Sequence, residues 1–450
     1  MVLAGEWVSL GVVCEGSLAV SSQGLRAFWV LWLGQLVSNL GTQASLYGMG
    51  LWLFQQHWRV VDFAAVAVVV QLARLLILPL LGKRLAGWPR RRTMLVANGI
   101  GGCVTAGLAL LLLRSGTQVP VMFLLGLLAV SAAAEAALVL CFSSLITTLV
   151  PEGSAQTRAA GLFASSDGLV LTLAPFLGAW LAGQAGLRGV LLLDGFSFLW
   201  AFLCVALAPW PRQALSPSTV EAAASPAGPG GFRSQLAQLR CHPAQAPLGW
   251  LGMVLALVYA GCEVLFPAWL MAGMGSSRLG MALLVGALGY GLGVGLWAWR
   301  RPRRPLRWLR VALALQAWVL IGAGLVIFEH WQPIWWLGIL VFSAGIPINL
   351  AALQVMWQHQ VPADHQPSRF AVRLTLDAWA RLLGFVALAS LVDGLIRPAL
   401  SWPFWPAWLL QALGTGPGRP MAMALGLAGW LLLLTGLRQA AALSRSSPEV

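Results

Sequence analysis

The feature that most constrains this chain is the recurrence, along its whole length, of apolar runs of about 18 residues or more. That is the length a helix needs to cross a hydrocarbon layer. The segment Gln71 to Leu95, QLARLLILPLLGKRLAGWPRRRTML, shows how the runs are punctuated. One run ends at Leu81, a short loop carries Lys83, Arg84, Arg90, Arg91 and Arg92, and a second run opens at Thr93. A loop this short and basic stays on the cytoplasmic side, because each cation resists translocation. A second such loop, Arg300-Arg301-Pro302-Arg303-Arg304-Pro305-Leu306-Arg307, lies in the other half. With 59% hydrophobic and 9% charged residues, 450 residues cannot cover a water-soluble globule with polar surface. The composition excludes a soluble enzyme and predicts an all-α polytopic membrane protein.

Apolar length and Pro, Gly and charge breaks predict six spans in the first half, at 27–54, 63–81, 93–113, 119–149, 157–183 and 189–208. Six more follow at 248–270, 280–299, 308–328, 334–356, 370–396 and 421–437. Between the sets, residues 209–247 are rich in Pro, Ala, Ser and Gln and read as a cytoplasmic linker. Residues 1–26 form an N-terminal arm and 438–450 a cytoplasmic tail. With both termini inside, most of the 28 basic residues fall on the cytoplasmic side, which supports that orientation. The arm has no basic region ahead of its apolar stretch, so no cleaved signal peptide is expected. The halves echo each other: Val150-Pro151 followed by Arg158 has a counterpart in Val361-Pro362 followed by Arg369. Twelve transmembrane helices as two pseudo-symmetric six-helix bundles place a binding site between the bundles near mid-membrane.

The formal net charge of +14 could suggest nucleic acid, but the cations sit in short loops between spans, where orientation explains them. Six scattered cysteines without a CxxC pair suggest neither a disulfide framework nor a metal site. His359 and His365 lack ligand partners at metal spacing, and Lys83 lies in no phosphate loop, so no metal, cofactor or ATP site is expected. Gly286, Gly289, Gly291, Gly293 and Gly295 read as a flat packing face. Trp402, Trp405 and Trp408, between Pro398 and Pro420, suit a headgroup-level helix or the edge of a lid.

A charged side chain at mid-bilayer costs about 2.5–3.5 kcal/mol on insertion scales, so each one needs a partner or a task. The candidates are Arg74, Glu135, Asp167, Glu263, Asp377 and Arg381. Asp377 and Arg381 are four apart on one helix, a spacing that predicts a self-neutralised pair. Arg74 lies about eight residues and Asp167 about ten from the cytoplasmic ends of their spans, roughly 12 and 15 Å at 1.5 Å per residue. That similar depth makes them expected partners, unless Arg74 snorkels to the headgroups. Glu135, in a run of alanines with no basic residue in its own span, is costly to keep ionised and heads the proton-coupling candidates. Asp167 and Glu263 are the others. Gln35, Asn39, Gln43, Asn349 and Gln354 offer uncharged hydrogen bonds to a cavity, while Asp194 and Asp393, near span ends, read as structural.

Several phrases carry a resemblance: Leu33-Gly34-Gln35-Leu36-Val37-Ser38, the loop from Gly82 to Arg92, and Leu149-Val150-Pro151. To these add Leu192-Leu193-Asp194-Gly195-Phe196-Ser197-Phe198 and Met356-Trp357-Gln358-His359-Gln360-Val361-Pro362. Together they resemble the major facilitator superfamily, and within it the bacterial macrolide-efflux and enterobactin-exporter branch. The resemblance implies a bacterial inner-membrane protein, working as a monomer. It also implies cavity-lining first and fourth spans in each half and a gating loop at Gly82, Arg90, Arg91 and Arg92. Where the family carries an acidic latch residue followed by Arg, this chain has Ala86 and Gly87. The exporter glycine-proline motif of the fifth span survives in weakened form as Gly161, Ala174-Pro175 and Gly178-Ala179. The expected function is proton-coupled efflux of an amphipathic or hydrophobic small molecule by alternating access. The alternatives are a non-transporting scaffold or sensor, or a facilitator or importer of the same fold.

Overall fold

The computed structural model describes residues 3–85, 88–115, 120–150, 154–211, 236–237, 242, 245–300, 304–325, 332–361, 366–402 and 416–446. Among them all regular structure is helical. The helices are α1 (Leu3–His57), α2 (Val60–Leu85), α3 (Arg90–Ser115), α4 (Val121–Leu149) and α5 (Ser154–Leu207) in the first half. In the second come α6 (Gln245–Met274), α7 (Ser276–Arg300), α8 (Pro305–Leu325), α9 (Gln332–Gln360), α10 (Gln366–Leu391) and α11 (Arg419–Ser446). A π-helical stretch, Val392–Ile396, and one further turn, Arg397–Leu400, continue α10. Most of the expected linker and residues 403–415 of the tryptophan-rich segment lie outside the described residues.

Each expected span falls on a helix to within a few residues. Ten segments among the described residues are long and apolar enough to cross a membrane. One of them, Gly168–Leu207, runs from within the fifth expected span through the sixth. Inside α5, Gly186 adopts φ 64° and ψ −169°, a conformation that no right-handed helix continues, so two helices meet there. The first expected span is absent from the ten because Gln35, Ser38, Asn39, Thr42 and Gln43 dilute its apolar run. They recur every three or four residues, a polar stripe down one face of α1.

The punctuation follows from residue chemistry. At the end of α1, Trp58 turns left-handed (φ 54°) and its N–H donates to the Phe54 carbonyl at 2.6 Å, so α2 begins two residues later. At the end of α4, Val150 is extended (φ −106°, ψ 130°) because it precedes a proline, which excludes the helical conformation at that position.

The chain forms two compact units that do not coincide with the sequence halves. One gathers Met1–Leu46, Leu72–Ala174 and Ala185–Ala224; the other gathers Tyr47–Gln71, Pro175–Gln184 and Ser225–Val450. In the first, Phe28, Leu31, Met94, Phe142 and Leu145 form the buried centre. In the second, Trp269, Trp335 and Trp357 anchor a larger core, which the C-terminal end of α1 joins through Leu51 and Phe54.

The glycines of α7 divide into two faces. A side chain at Gly289 would strike the backbone of Leu340, and one at Gly293 the Ala344 carbonyl and the Pro347 ring, so α7 and α9 touch there. Gly291 and Gly295 have nothing within reach. Gly293→Ala is therefore expected to cost about 1–3 kcal/mol through overpacking. Gly291→Ala is expected to be neutral or to gain up to about 1 kcal/mol from helix propensity. Thermal unfolding in detergent compares the two; equal midpoints would refute the assignment of faces.

Candidate functional site

The polar stripe of α1 opens on a recess in the first unit. Its wall mixes aromatic rings (Trp32, Phe142) with polar groups (Gln35, Asn39, Ser166, Glu135) around a small open cavity of about 50 Å³. The Trp32 indole N–H donates to Ser166 Oγ at 2.9 Å, which fixes the ring in the wall. Glu135 is held from two sides. Arg74 Nη2 lies 2.7 Å from its Oε2, and Gln43 Nε2 donates to its Oε1 at 3.0 Å. The Glu135 side chain is 11% exposed and that of Arg74 32%. Arg74 thus pairs with Glu135, while the side chain of Asp167, its expected partner, lies outside the described residues. Counting depth along two spans could not reveal that Glu135, on a third helix, faces Arg74. The alanines around Glu135 allow the close approach that brings them together.

In the second unit the charges pair otherwise than as the expected Asp377–Arg381. Arg381 Nη2 reaches across to Glu263 Oε2 on α6 at 2.8 Å, while Asp377 pairs with Arg373, 3.5 Å away and one turn earlier on α10. Arginines flank Asp377 by one turn on both sides, so spacing alone could not choose between them. Arg373 also donates to Gln354 Oε1 at 3.0 Å and lies 5.5 Å from the centre of the Trp357 ring. Gln354 thus serves the arginine. Asn349 is fully buried, its Nδ2 donating to Gln316 Oε1 at 2.7 Å and to the Tyr259 hydroxyl at 3.0 Å. Gln316 Nε2 in turn donates to the Phe342 carbonyl at 2.8 Å. Such a knot pairs polar groups where lipid and packed side chains cannot, Asn349 Oδ1 alone in it finding no partner among the described residues, and it joins α6, α8 and α9.

The Major Facilitator Superfamily profile matches residues 31–385, from the polar stripe of α1 through the paired charges of α10. The chain belongs to the Major Facilitator Superfamily. Among solved structures, a bacterial homologue of the iron transporter ferroportin in an inward-facing state is similar, with TM-score 0.66 and 16% identity. That match covers 93% of this chain and 99% of the other. A bacterial homologue of the human lysosomal transporter Spinster, inward-facing and unoccupied, has TM-score 0.64 at 17% identity over 95% and 97% of the two chains. A structure from work on proton-dependent oligopeptide transporters has TM-score 0.66 at 10% identity over 95% and 100%. At these identities the likeness is one of fold. No curated protein sequence matches significantly.

For a superfamily member, the basic loop before α3 is well tied at its described residues. Arg90 donates to Thr148 Oγ1 on α4 at 2.8 Å, and Arg91 to the Ala206 carbonyl at 2.9 Å, near the end of α5 where helix carbonyls lack partners. The Arg92 guanidinium stands 5.8 Å from the Trp88 ring centre. Gly82 falls in the last turn of α2, and Ala86 and Gly87 lie outside the described residues.

Two groups in this superfamily fold escaped the sequence reading of the site. One is Gln316, a lone amide in an apolar span whose partners lie on other helices. The other is Asp194, read as structural from its place near a span end. It is 4% exposed and receives Thr42 Oγ1 at 3.1 Å and Thr105 Oγ1 at 2.8 Å. Hydroxyls set within apolar runs were the available signal.

Proposed function

We propose that this protein is a secondary active transporter that exports an amphipathic or hydrophobic small molecule in exchange for protons, by alternating access, from a bacterial inner membrane. The observation that carries this reading is the recess of the first unit. The lining of this small recess, apolar and aromatic with a few fixed polar groups, matches the two chemistries of an amphipath, and an ion pair retained at membrane depth marks a path for polar cargo or ions. Transporters of similar fold, one group described as proton-dependent, support transport and proton coupling. The excess of cations in the expected cytoplasmic loops supports cytoplasmic termini. The phrases shared with macrolide-efflux and enterobactin-export proteins favour export.

The test is dye movement in proteoliposomes holding the purified protein. A fluorescent amphipathic dye is expected to move against its gradient when a pH gradient is imposed, and to stop when nigericin collapses it. Movement equal to that in empty vesicles, or indifferent to the gradient, would refute the reading. Ala86 and Gly87, in place of the expected acidic latch, favour one other reading: a scaffold or sensor that keeps the fold. Cysteine labelling at Gln43 separates the two, since a transporter exposes that position alternately to each side and a scaffold to one.

A further inference from the structure

The acids described in this protein share a pattern that one of them breaks. Asp62 has His57 within 4.0 Å, Glu135 has Arg74, Glu263 has Arg381, Asp377 has Arg373 and Asp393 has Arg397. Among the described residues no basic group lies that close to Asp194. Yet Asp194 is one of the most deeply buried acids, 4% exposed, in the part of α5 that follows Gly186. Each carboxyl oxygen instead receives one hydroxyl, from Thr42 on α1 and from Thr105 on α3. Both threonines are buried, and Ser45 of α1 adjoins the same carboxyl. Charge reaches Asp194 from Glu135 of α4, which Arg74 of α2 already neutralises.

A permanently ionised carboxylate cannot rest cheaply in such a place. Neutral hydroxyls compensate far less than a guanidinium does, and the carboxyl is shut away from water. The group therefore has to take up a positive charge, and the smallest one available is a proton. A route exists as well. Thr42 lines the recess while its hydroxyl touches Asp194 Oδ1, so one side chain spans the opening and the buried acid.

We infer that Asp194 is a proton-binding site of the first unit, loaded and unloaded from the recess through the Thr42 hydroxyl. In loading, Thr42 passes its hydroxyl proton to Oδ1 and takes one from a hydronium ion in the recess, leaving water behind, so the hydroxyl is regenerated and the carboxyl becomes neutral. Glu135 remains an ion pair with Arg74 throughout. As a coupling site this rests on the transport reading above, but the binding of the proton does not, and it is measured without any substrate.

The experiment is an infrared titration of the purified full-length protein, following the C=O stretch of protonated carboxyl groups across pH. A titrating band is expected in the wild type and in the Arg74→Gln/Glu135→Gln double variant, and its loss in Asp194→Asn. A band kept at full amplitude in Asp194→Asn, or lost in the double variant, overturns the inference. Should Asp194→Asn fail to fold, Thr105→Val decides: a displaced midpoint supports the site and an unmoved one overturns it. Thr42→Val is expected to keep the band but slow its rise after a pH jump; an unchanged rise overturns the route. The titration is run in sodium chloride and in choline chloride. A band bleached by sodium at fixed pH assigns the site to a metal cation and overturns the proton. Failure of dye transport with the band intact would refute the transport reading and leave the proton site standing.

Discussion

Replacing Arg74 by alanine is expected to destabilise the protein by about 3 kcal/mol, and replacing Glu135 by glutamine by clearly less. Removing one partner of a buried ion pair leaves the other uncompensated, a loss of about 3–5 kcal/mol in the general case. Here the low end applies to Arg74→Ala, because the arginine is a third exposed and Glu135 keeps the Gln43 amide. The asymmetry comes from the side chains themselves. An orphaned Arg74 can extend its long stem towards headgroups, whereas an orphaned Glu135 is short and surrounded by alanines. The double variant Arg74→Gln/Glu135→Gln replaces two charges with two amides that can bond to each other, and is expected to recover most of the loss. Unfolding midpoints of Arg74→Gln, Glu135→Gln and this double variant close the cycle. If the single losses simply add in the double, the contact at 2.7 Å contributes nothing and the pair is incidental.

What was legible in the sequence was what depends on one helix at a time. The spans follow from apolar length alone, and the break at Gly186 lies between the two expected spans on either side of it. The polar stripe of α1 could be read because its members recur on one face. Pairing was not legible. Arg74 and Glu135 stand 61 positions apart, and Arg381 and Glu263 118, so their meeting depends on how neighbouring helices are rotated. Asp194 shows the same limit. It lies only about five residues from the expected outer end of its span, and the threonines that hold it are 152 and 89 positions away. Nothing in its own helix distinguishes it from an acid that faces water.

Asp393 was read as structural for the same reason, and the second unit gives it a role with a measurable consequence. The first N–H groups of a helix lack partners within that helix. At the start of α2 the Val61 N–H finds one 332 positions away, donating to Asp393 Oδ2 at 2.8 Å. The carboxylate is 8% exposed, and its other oxygen lies 3.2 Å from Arg397. A segment of the first half is thereby tied to the π-helical stretch after α10, at the end expected to face outward. A hydrogen bond to a charged group contributes about 1.5–3 kcal/mol, and 1.4 kcal/mol is a factor of ten in an equilibrium. Asp393→Ala is therefore expected to raise opening at this end about tenfold or more. Asp393→Asn, which keeps an oxygen for Val61 and loses the attraction to Arg397, should fall between it and the wild type. The reporter is a single cysteine at Leu51, 3% exposed in this unit's core, in a background with the native cysteines replaced. Its labelling by a membrane-impermeant maleimide, added on the side of Trp58 and Arg59, should quicken in that order. An unchanged rate in Asp393→Ala would mean that the end is held shut by its apolar packing, with the carboxylate only completing the first turn of α2.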